Sequence, residues 1–564
     1  MPASNATVAD LLRQYAAALV LEGADRFKVK AYRRAADTLE TMAEDVAQLV
    51  ARGDDLKELP GIGKAISQKI EEIVGSGKLT QLERSLSNLG PELVELATKP
   101  SLDPKKVLRV YKKLKIGSLA ELRARLEAGE IRDAFGARID YHIRQGLEER
   151  PRVLLYWAED LAARIETFLK TVPGVTHVSR AGSLRRKMDT VGDLNFVVAG
   201  KPAATILQRF SKFGGVQSSE SRGKQEAVFK LSSGMHVSLA VVSSAQWGLG
   251  LVLQTGSSAH VEDLSARAAK KRIKLTAAAL AAKDVDLSSE ENVYRALGLN
   301  FIEPELREGR GEVDAASKGT LPKLVTVEDL KGDLHMHTTA SDGANSIAEM
   351  VEATKARGYQ YIAITDHSQS LKLTNGLSEK RLLAQIKSID KLNARLKGMV
   401  VLKSAEVDIL EDGKLDYPNA LLKELDLTIC SIHSRFGLGK EQQTARIMHA
   451  MDNRYFNILG HATGRLLLKR EPYELEMERI VKHAAERGCS FEINSSPDRL
   501  DLSDEHAKVA KEHGLKIAVN TDAHATGELD FIFAGLNQAR RAWLEPKDVL
   551  NTLPLARLRA ALRR

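Results

Sequence analysis

Between residues 331 and 564, seven short apolar runs alternate with amphipathic helical patterns. The runs are rich in β-branched and apolar residues, and the stretches between them repeat with the period of a helix. This alternation is typical of parallel strands joined by helices, so seven successive units predict a parallel (β/α) barrel. The runs are DLHMHT, YIAITDH, MVVLKSAEVD, LDLTICSIH, FNILGHAT, CSFEIN and KIAVNTDAH.

Metal-binding side chains follow these runs at one end. Six histidines and three carboxylates lie at, or just after, the carboxyl ends of the predicted strands, where barrels of this kind carry their active site. Imidazole nitrogen and carboxylate oxygen suit zinc, manganese or iron, and nine such groups suffice for three divalent ions that could bind a phosphate. The nine predicted ligands are His335, His337, Asp342, His367, Glu406, His433, His461, Asp522 and His524.

The distribution of histidine also indicates a metal site in this region, because ten of the 14 histidines lie between His335 and His524. Four of the ten fall on predicted helices, and we interpret them as surface or core residues. They are His449, His483, His506 and His513.

Residues 7–90 have the apolar spacing of several helices, with a two-glycine turn in LPGIGKAISQKI. Glycine permits positive φ and lets backbone N–H groups approach a phosphate. We therefore predict a helix-hairpin-helix that binds DNA through Gly61, Gly63, Lys64 and Lys69. An ordinary helical hairpin closed by glycine is the alternative.

Residues 91–150 repeat this pattern weakly. The stretch from Pro100 to Lys106 occupies the place of a second hairpin turn, but it has no glycine and contains Asp103. The basic helical pattern that follows is either a solvated face or a DNA contact.

Basic charge is concentrated in the middle of the chain. The formal net charge is +8, yet residues 101–300 alone hold 32 basic and 21 acidic residues, an excess of 32 − 21 = +11. Such a segment suits a polyanion.

Two cysteines exclude a disulfide framework, and the sequence shows neither a signal peptide nor a membrane-spanning run. We therefore expect a cytoplasmic protein with no membrane partner.

From about residue 175 the period changes to that of strands. GDLNFVV (192–198) predicts one strand, and AVFKLSSGMHVSLAVV (227–242) predicts a β-hairpin. The polar stretch REGRGEVDAASKGTLPK (307–323) has no periodicity, so we predict a linker at 311–330.

The C-terminal motifs resemble those of the PHP (polymerase and histidinol phosphatase) domain. The resemblance covers residues 331–564 and rests on DLHMHT, SDG, TDH, Glu406, His433, GH and DAH. It implies a seven-stranded distorted barrel with a trinuclear metal site that hydrolyses phosphoesters, as a phosphatase or as a 3′–5′ exonuclease. The residues predicted to be catalytic in that site are His335, His337, Glu406, Asp522 and His524.

Residues 1–310 resemble a bacterial family X DNA polymerase, a family that carries such a PHP domain. The resemblance rests on LPGIGKAISQKI, GSLRR, TVGD, TGS with His260, and GLNFIEPELREGRGE. It implies that Gly182, Ser183 and Arg186 bind an incoming triphosphate. Lys69 matches the Schiff-base lysine of some relatives, although we interpret it as a surface lysine.

Together the two resemblances predict a multidomain chain with helical N-terminal domains, an α+β palm and thumb, and a distorted (β/α)7 barrel. The predicted divisions are 1–90 (helix-hairpin-helix), 91–150 (fingers-like), 151–240 (nucleotidyltransferase-like palm), 241–310 (thumb-like), 311–330 (linker) and 331–564 (PHP).

The palm departs from the polymerase pattern at its metal site. Polymerase chemistry needs three carboxylates that hold two Mg²⁺ ions, but only Asp193 remains, with Asn195 and Ser238 at the other positions. Amide and hydroxyl oxygens bring no charge, so we expect weak binding of Mg²⁺ or Mn²⁺ and an impaired polymerase. Rescue of a weak activity by Mn²⁺ or by Asp189 is the alternative.

The sequence therefore predicts a DNA-repair nuclease that uses Mn²⁺ or Zn²⁺ at the PHP site and acts on gapped, nicked or 3′-ended DNA. A deoxynucleoside triphosphate is a further expected ligand, and we expect a monomer. Two other functions stay open: a gap-filling polymerase with an attached nuclease in base excision repair, and a small-molecule phosphatase. The helix-hairpin-helix and the basic segment disfavour the phosphatase, since a small substrate needs neither.

Overall fold

The computed structural model describes residues 4–42, 45–98, 102–116, 118–147 and 152–563. The chain forms two compact units, one of residues 1–319 with 468–470 and the other of residues 320–467 with 471–564. Pro100 and Ser101, which belong to the predicted second hairpin turn, lie outside the described residues. No helix in the described part of the chain is long and apolar enough to cross a membrane.

The N-terminal part of the first unit is helical. Its helices are α1 (Asn5–Leu21), α2 (Arg26–Thr41), α3 (Val46–Arg52), α4 (Lys64–Ser76), α5 (Thr80–Leu89), α6 (Pro91–Thr98), α7 (Pro104–Leu114), α8 (Leu119–Glu127), α9 (Glu130–Phe135) and α10 (Ala137–Gly146). Their apolar faces share one core that includes Leu12, Leu39 and Ile70. The predicted helix-hairpin-helix is present as α3, a short 3-10 turn and α4.

The two glycines of this hairpin differ in backbone conformation. Gly61 has φ +80°, and a Cβ there would lie 3.0 Å from the side chain of Arg34, so a side chain at this position would be strained and crowded. Gly63 precedes α4 as its N-cap in extended conformation.

The palm is an α+β layer. Its strands are β1 (Val153–Leu154), β2 (Val175–Ala181), β3 (Thr190–Val191), β4 (Asp193–Gly200), β5 (Val216–Ser221), β6 (Glu226–Leu231) and β7 (His236–Val242), and its helices are α11 (Leu155–Thr171), α12 (Gly182–Arg185) and α13 (Ala203–Phe210). Five strands form a sheet in the order β2-β4-β7-β6-β5, in which β4 and β7 are parallel. The predicted strand and the predicted hairpin are thus confirmed as β4 and as the antiparallel pair β6 and β7.

The thumb follows the palm and is helical. It contains α14 (Trp247–Thr255), α15 (Ser258–Lys270), α16 (Ala277–Ala281) and α17 (Glu290–Ala296), and α18 (Glu312–Lys318) follows it. Its centre is a buried ion-pair network in which Glu290 accepts hydrogen bonds from Arg185 at 2.9 Å and Arg307 at 2.7 Å.

The segment 311–330, predicted to be a linker, begins with the helix α18. The carboxylate of Glu312 is fully buried and accepts hydrogen bonds from the backbone of Gly309 at 2.9 Å and from Nδ1 of His260 at 2.6 Å. These bonds tie the start of the segment to the thumb, which its polar, aperiodic composition did not predict.

The second unit contains the seven predicted strands. They are β8 (Gly332–Asp333), β9 (Tyr361–Ile364), β10 (Val400–Asp408), β11 (Leu427–Ser431), β12 (Ile458–Leu459), β13 (Ser490–Asn494) and β14 (Ile517–Asn520). All neighbouring pairs are parallel, and the strands lie side by side in chain order. The surrounding helices are α19 (Ile347–Lys355), α20 (Glu379–Asn393), α21 (Asn419–Leu422), α22 (Lys440–Met451), α23 (Met477–Arg487), α24 (Asp504–Glu512), α25 (Ile532–Arg541) and α26 (Leu555–Leu562).

The residues that follow β8 and β14 close this sheet into a barrel. The His337 N–H donates to the carbonyl of Ala523 at 2.8 Å, and the Asp522 N–H donates to the carbonyl of His335 at 3.0 Å. The prediction of a distorted seven-stranded barrel is therefore confirmed. The same closure places the predicted metal ligands that follow the first and last strands next to each other.

Candidate metal centre

The structure brings the nine predicted ligands together at the carboxyl end of the barrel. Three sets of side chains each have ligand atoms within 4.8 Å of one another: His337 with Asp342, His367 and His524; His335 with His337 and Asp522; and His367 with Glu406 and His433. Two histidines belong to two sets each, so the sets are contiguous. The ninth residue, His461, has Nε2 2.9 Å from Oε1 of Glu406.

Glu406 lies at the centre of this cluster, at 1% exposure. Its Oε2 is 3.6 Å from Nε2 of His335 and 3.6 Å from Nε2 of His337. Its Oε1 is 3.3 Å from Nε2 of His433. One carboxylate thus faces imidazoles that follow several strands.

The cluster is deep, and it opens to solvent on one side. The side chains of His335 and His337 are fully buried, whereas those of Asp342 and His524 are 27% and 34% exposed. Solvent therefore reaches the cluster at Asp342 and His524.

Hydrogen bonds behind the cluster orient three of its imidazoles. Nδ1 of His335 donates to Glu492 at 2.7 Å, and Nδ1 of His433 donates to Asp408 at 2.6 Å. Nδ1 of His524 donates to the backbone carbonyl of Asp522 at 2.8 Å. In each case Nε2 remains available to the centre, an arrangement that metal-binding histidines commonly show.

A further buried carboxylate, Asp366, holds the loop that carries Asp342. It accepts hydrogen bonds from the N–H of Thr338 at 2.8 Å and from the hydroxyl of Ser341 at 2.6 Å. These bonds fix the approach of Asp342 to the imidazoles.

The electrostatics of the site are those of an anionic cluster compensated by imidazolium. Burial lowers the pKa of His367, but the charges of Glu406 and Asp342 outweigh it and raise the pKa to about 10. For the carboxylate of Glu406 the effect of burial is the opposite, since it raises the pKa. The neighbouring histidines outweigh burial and hold the pKa of Glu406 well below its usual value. His337 differs, because burial and the charge of His367 lower its pKa to about 4. The carboxylates of the centre therefore favour positive charge beside them, which metal ions could also supply.

The residues present fit divalent ions. Among the described residues, buried atoms without a hydrogen-bond partner include Nε2 of His335 and both ring nitrogens of His337. A buried polar atom without a partner is costly, and a metal ion would satisfy it. The donor set of imidazole nitrogen and carboxylate oxygen suits transition-metal ions.

Sequence reasoning did not single out Glu492, Asp408 or Asp366. Each has a signal in the sequence, since each is a carboxylate within or at the end of an apolar strand run. A buried charge needs a partner, but the partners come from other strands and are distant in the sequence.

The predicted polymerase residues line a second pocket, in the palm and thumb. Gly182, Ser183, Arg186, Asp193 and Asn195 lie around a cavity of about 520 Å³ together with Thr255–Ser258. Arg186 is held in place, since its Nε donates to Glu308 at 2.9 Å and its Nη1 to the carbonyl of Thr255 at 2.6 Å. The residues predicted to bind a triphosphate therefore line one cavity.

The positions of that pocket that correspond to the polymerase metal ligands carry little charge. Nδ2 of Asn195 donates to Oδ1 of Asp193 at 3.2 Å, and Ser238 is the register partner of Asn195 on β7. Gly182 has φ +58°, and a Cβ there would lie 2.5 Å from Nδ2 of Asn195. The amide therefore occupies the space beside the one remaining carboxylate.

The hairpin lysines differ in their surroundings. Lys64 is exposed in the first turn of α4. Lys69 is half-buried with Nζ 5.9 Å from the ring centroid of Tyr15, and burial lowers its pKa. Gly61 and Gly63 are exposed, so the turn is open to a DNA backbone.

Three family models match this sequence. They are a helix-hairpin-helix domain over residues 3–79, the DNA polymerase beta thumb over residues 250–308 and the PHP domain over residues 333–496. The fold and these matches define the class: an enzyme in which a metal-dependent PHP domain follows a DNA-binding, polymerase-like half.

The family follows from a relative of full length. The chain is 35% identical to the DNA polymerase/3′–5′ exonuclease PolX of Bacillus subtilis (strain 168), over 98% of each chain. It therefore belongs to the PolX group of family X DNA polymerases, and the predicted resemblance is confirmed.

The C-terminal part is also similar to a probable phosphatase of Thermoanaerobacter sp. (strain X514), at 32% identity over 39% of this chain and 89% of the relative. A probable phosphatase of Syntrophotalea carbinolica is 25% identical over 39% of this chain and 90% of its own.

Proposed function

We propose that this protein is a DNA-repair nuclease whose PHP site removes nucleotides from 3′ ends in gapped or nicked DNA. We further propose that its template-directed polymerase activity is weak or lost. The observation that supports both statements is the contrast between the two pockets. Nine candidate ligands cluster in the barrel, whereas the palm keeps Asp193 with an amide beside it.

The nine clustered residues would hold three ions, Mn²⁺ or Zn²⁺. Bound ions would supply the positive charge that binds a phosphodiester and acidifies water. The candidate ligands are His335, His337, Asp342, His367, Glu406, His433, His461, Asp522 and His524, and those proposed to act closest to the chemistry are His335, His337, Glu406, Asp522 and His524.

The residues of the barrel would orient the imidazoles and determine where a substrate approaches them. The carboxylate of Glu406 lies close to the imidazoles of His335 and His433, which follow other strands. Hydrogen bonds from His335 to Glu492 and from His433 to Asp408 hold those two rings in place. The inner side of the cluster is buried, so a substrate would meet the fixed charges at the rim formed by Asp342 and His524.

The first unit would bind the DNA. Its hairpin residues Gly61, Gly63, Lys64 and Lys69 suit a phosphate backbone. Gly182, Ser183 and Arg186 would bind a deoxynucleoside triphosphate, with one Mg²⁺ or Mn²⁺ at Asp193. A monomeric state and a cytoplasmic location stay predictions.

The test of the nuclease uses His335→Ala and Asp522→Ala. We expect both variants to lose Mn²⁺-dependent degradation of a gapped substrate with a labelled 3′ end, while fluorescence anisotropy shows unchanged DNA binding. Retained cleavage in both variants would contradict the proposal.

A gap-filling polymerase is the second candidate function, because the palm pocket keeps its triphosphate-binding residues. Primer extension on the same gapped DNA, with Mg²⁺ and with Mn²⁺, separates the two. Efficient extension that is lost in Asp193→Ala would show that Asn195 and Ser238 are tolerated.

The similarity of the barrel to probable phosphatases keeps a small-molecule substrate as the third candidate. Competition tests it. Gapped DNA that neither binds nor competes with a small phosphoester would favour the phosphatase.

A further inference from the structure

One guanidinium borders the metal cluster. Among the described residues, Arg499 is the one arginine or lysine with a nitrogen within 4 Å of Asp342, Glu406 or Asp522, since its Nε lies 3.8 Å from Oδ2 of Asp522. The other basic groups within that distance of these carboxylates are imidazoles of the cluster. Arg499 therefore brings a positive charge that, unlike that of an imidazole, persists at every physiological pH.

Asp522 does not accept a hydrogen bond from the Arg499 guanidinium. A separation of 3.8 Å is too long for a hydrogen bond. Oδ2 of Asp522 already accepts a hydrogen bond from Nδ2 of Asn494 at 2.9 Å, and its Oδ1 faces Nε2 of His337 at 3.1 Å. Because the Arg499 side chain is 22% exposed, its donors remain available to a ligand from solvent.

The loop around Arg499 is held by other groups. The backbone N–H of Arg499 donates to the carbonyl of Ser496 at 2.8 Å, and its carbonyl accepts from Nε of Arg465 at 3.0 Å. Arg465 also donates to the carbonyl of Leu500. The loop therefore keeps its shape without the Arg499 guanidinium, which leaves that group free for another role.

We propose that Arg499 is a catalytic residue that binds a non-bridging oxygen of the scissile phosphodiester. This inference rests on the proposed function of the barrel site as a phosphodiesterase. A guanidinium presents planar, charged donors that match phosphate oxygens, and it can stabilise charge that develops on them as the phosphodiester is attacked. Arg499 borders Asp522, so a phosphate held by the cluster lies within reach of its side chain.

The competing role is indirect. In that case Arg499 would neutralise Asp522 and support metal binding, and its loss would release ions. The two roles are separable, because one predicts loss of phosphate affinity at constant metal content and the other predicts loss of metal.

The kinetic test compares Arg499→Gln with Arg435→Gln. Arg435 lies in another loop of the barrel, but its Nε is paired with Glu411 at 2.9 Å and its side chain is 63% exposed. With Mn²⁺ and a single-stranded oligonucleotide, we expect kcat/KM to fall about 10²- to 10³-fold for Arg499→Gln and to stay unchanged for Arg435→Gln. Arg499→Lys should recover part of the activity, since it restores charge without the fork of donors.

A second measurement does not depend on activity. Isothermal titration of the Mn²⁺-loaded protein with inorganic phosphate should show an affinity about 10- to 100-fold lower for Arg499→Gln, with the manganese content per chain unchanged. Wild-type phosphate affinity and kinetics in Arg499→Gln would overturn the proposal, and so would loss of manganese. A wild-type protein without DNA exonuclease activity would contradict the proposed function alone, because the phosphate titration still decides the role of Arg499.

Discussion

The carboxylate of Glu492 accepts a hydrogen bond from Nδ1 of His335 at 2.7 Å, and both side chains are fully buried. The same carboxylate accepts hydrogen bonds from the backbone N–H of His461 at 2.9 Å and from Nδ2 of Asn520 at 2.8 Å. One residue of β13 therefore positions groups that follow β8 and β12 and that end β14. Its role is to orient candidate ligands from behind.

Glu492→Gln should weaken metal binding. An amide oxygen can still accept one hydrogen bond, but the negative charge that supports His335 is lost, so we expect the affinity for Mn²⁺ to fall about 10- to 100-fold. Isothermal titration with Mn²⁺ measures the change. Glu352→Gln, at an exposed position on α19, is the control, and equal affinities in the two variants would contradict the orienting role.

Divalent ions should stabilise the barrel. Without them, three carboxylates and six imidazoles are enclosed together, and ions that bind only the folded state raise its stability by about 2.7 kcal/mol at 100 times their Kd. Calorimetry of chelator-treated protein should show a melting temperature that rises and saturates as Mn²⁺ is added. An equal rise in Glu406→Gln would place the stabilising ions at another site.

Restoring two carboxylates should restore polymerase chemistry. Asp193 and Asn195 are two residues apart on β4, so their side chains lie on the same face of the sheet. Ser238 is the register partner of Asn195 on the parallel strand β7. Asn195→Asp combined with Ser238→Asp should therefore create a three-carboxylate site and raise gap filling with Mg²⁺ by about 10²-fold or more.

Primer extension measures this gain, and Ser218→Asp on the exposed edge strand β5 is the control for added charge. Extension by the double variant that stays at the wild-type rate would show that the palm is impaired for another reason.

Lys64→Ala should weaken DNA binding without loss of folding. Lys64 is exposed at the start of α4, where an ammonium group can contact a phosphate. We expect lower affinity for gapped DNA and a salt dependence reduced by about one charge. Anisotropy titrations at several salt concentrations measure both. Lys78→Ala, whose ammonium is paired with Glu83 at 3.1 Å, is the matched control, and equal effects of the two would contradict a specific contact.

The thumb network should make stability depend on pH. Burial raises the pKa of Glu290, but hydrogen bonds from Arg185 and the charge of Arg307 outweigh it and leave the pKa below its ordinary value of 4.5. The carboxylate therefore adds stability above that value, and this contribution is lost as the pH falls from 4.5 through the lower folded-state pKa. Unfolding of Glu290→Gln should differ most from wild type at neutral pH, with the difference shrinking in acid. A difference that does not vary with pH would contradict the ionic role.

Local pattern was sufficient for much of the fold. The two-residue period predicted β4 and the β6–β7 hairpin, and short apolar runs between helical patterns predicted all seven barrel strands, because these patterns report which residues of an element are buried. Pattern failed at α18, since the helix depends on the buried carboxylate of Glu312 and its partner His260, 52 positions away along the chain. A polar segment can be ordered by one distant partner, and periodicity does not record it.

The sequence by itself determined which residues stand at the ends of the barrel strands and which carboxylates the palm has lost. Both are properties of residue type and position along one strand. Only the tertiary structure decided that Glu492 lies behind His335, that Asn195 donates to Asp193, and that Arg499 borders Asp522 with its donors unused. Glu492 and Arg499 lie beside their partners because segments distant in the chain meet in the barrel, and the closure of the barrel sets those distances. Asn195 and Asp193 lie on one strand, and there the contact depends on side-chain conformation, which no sequence pattern records.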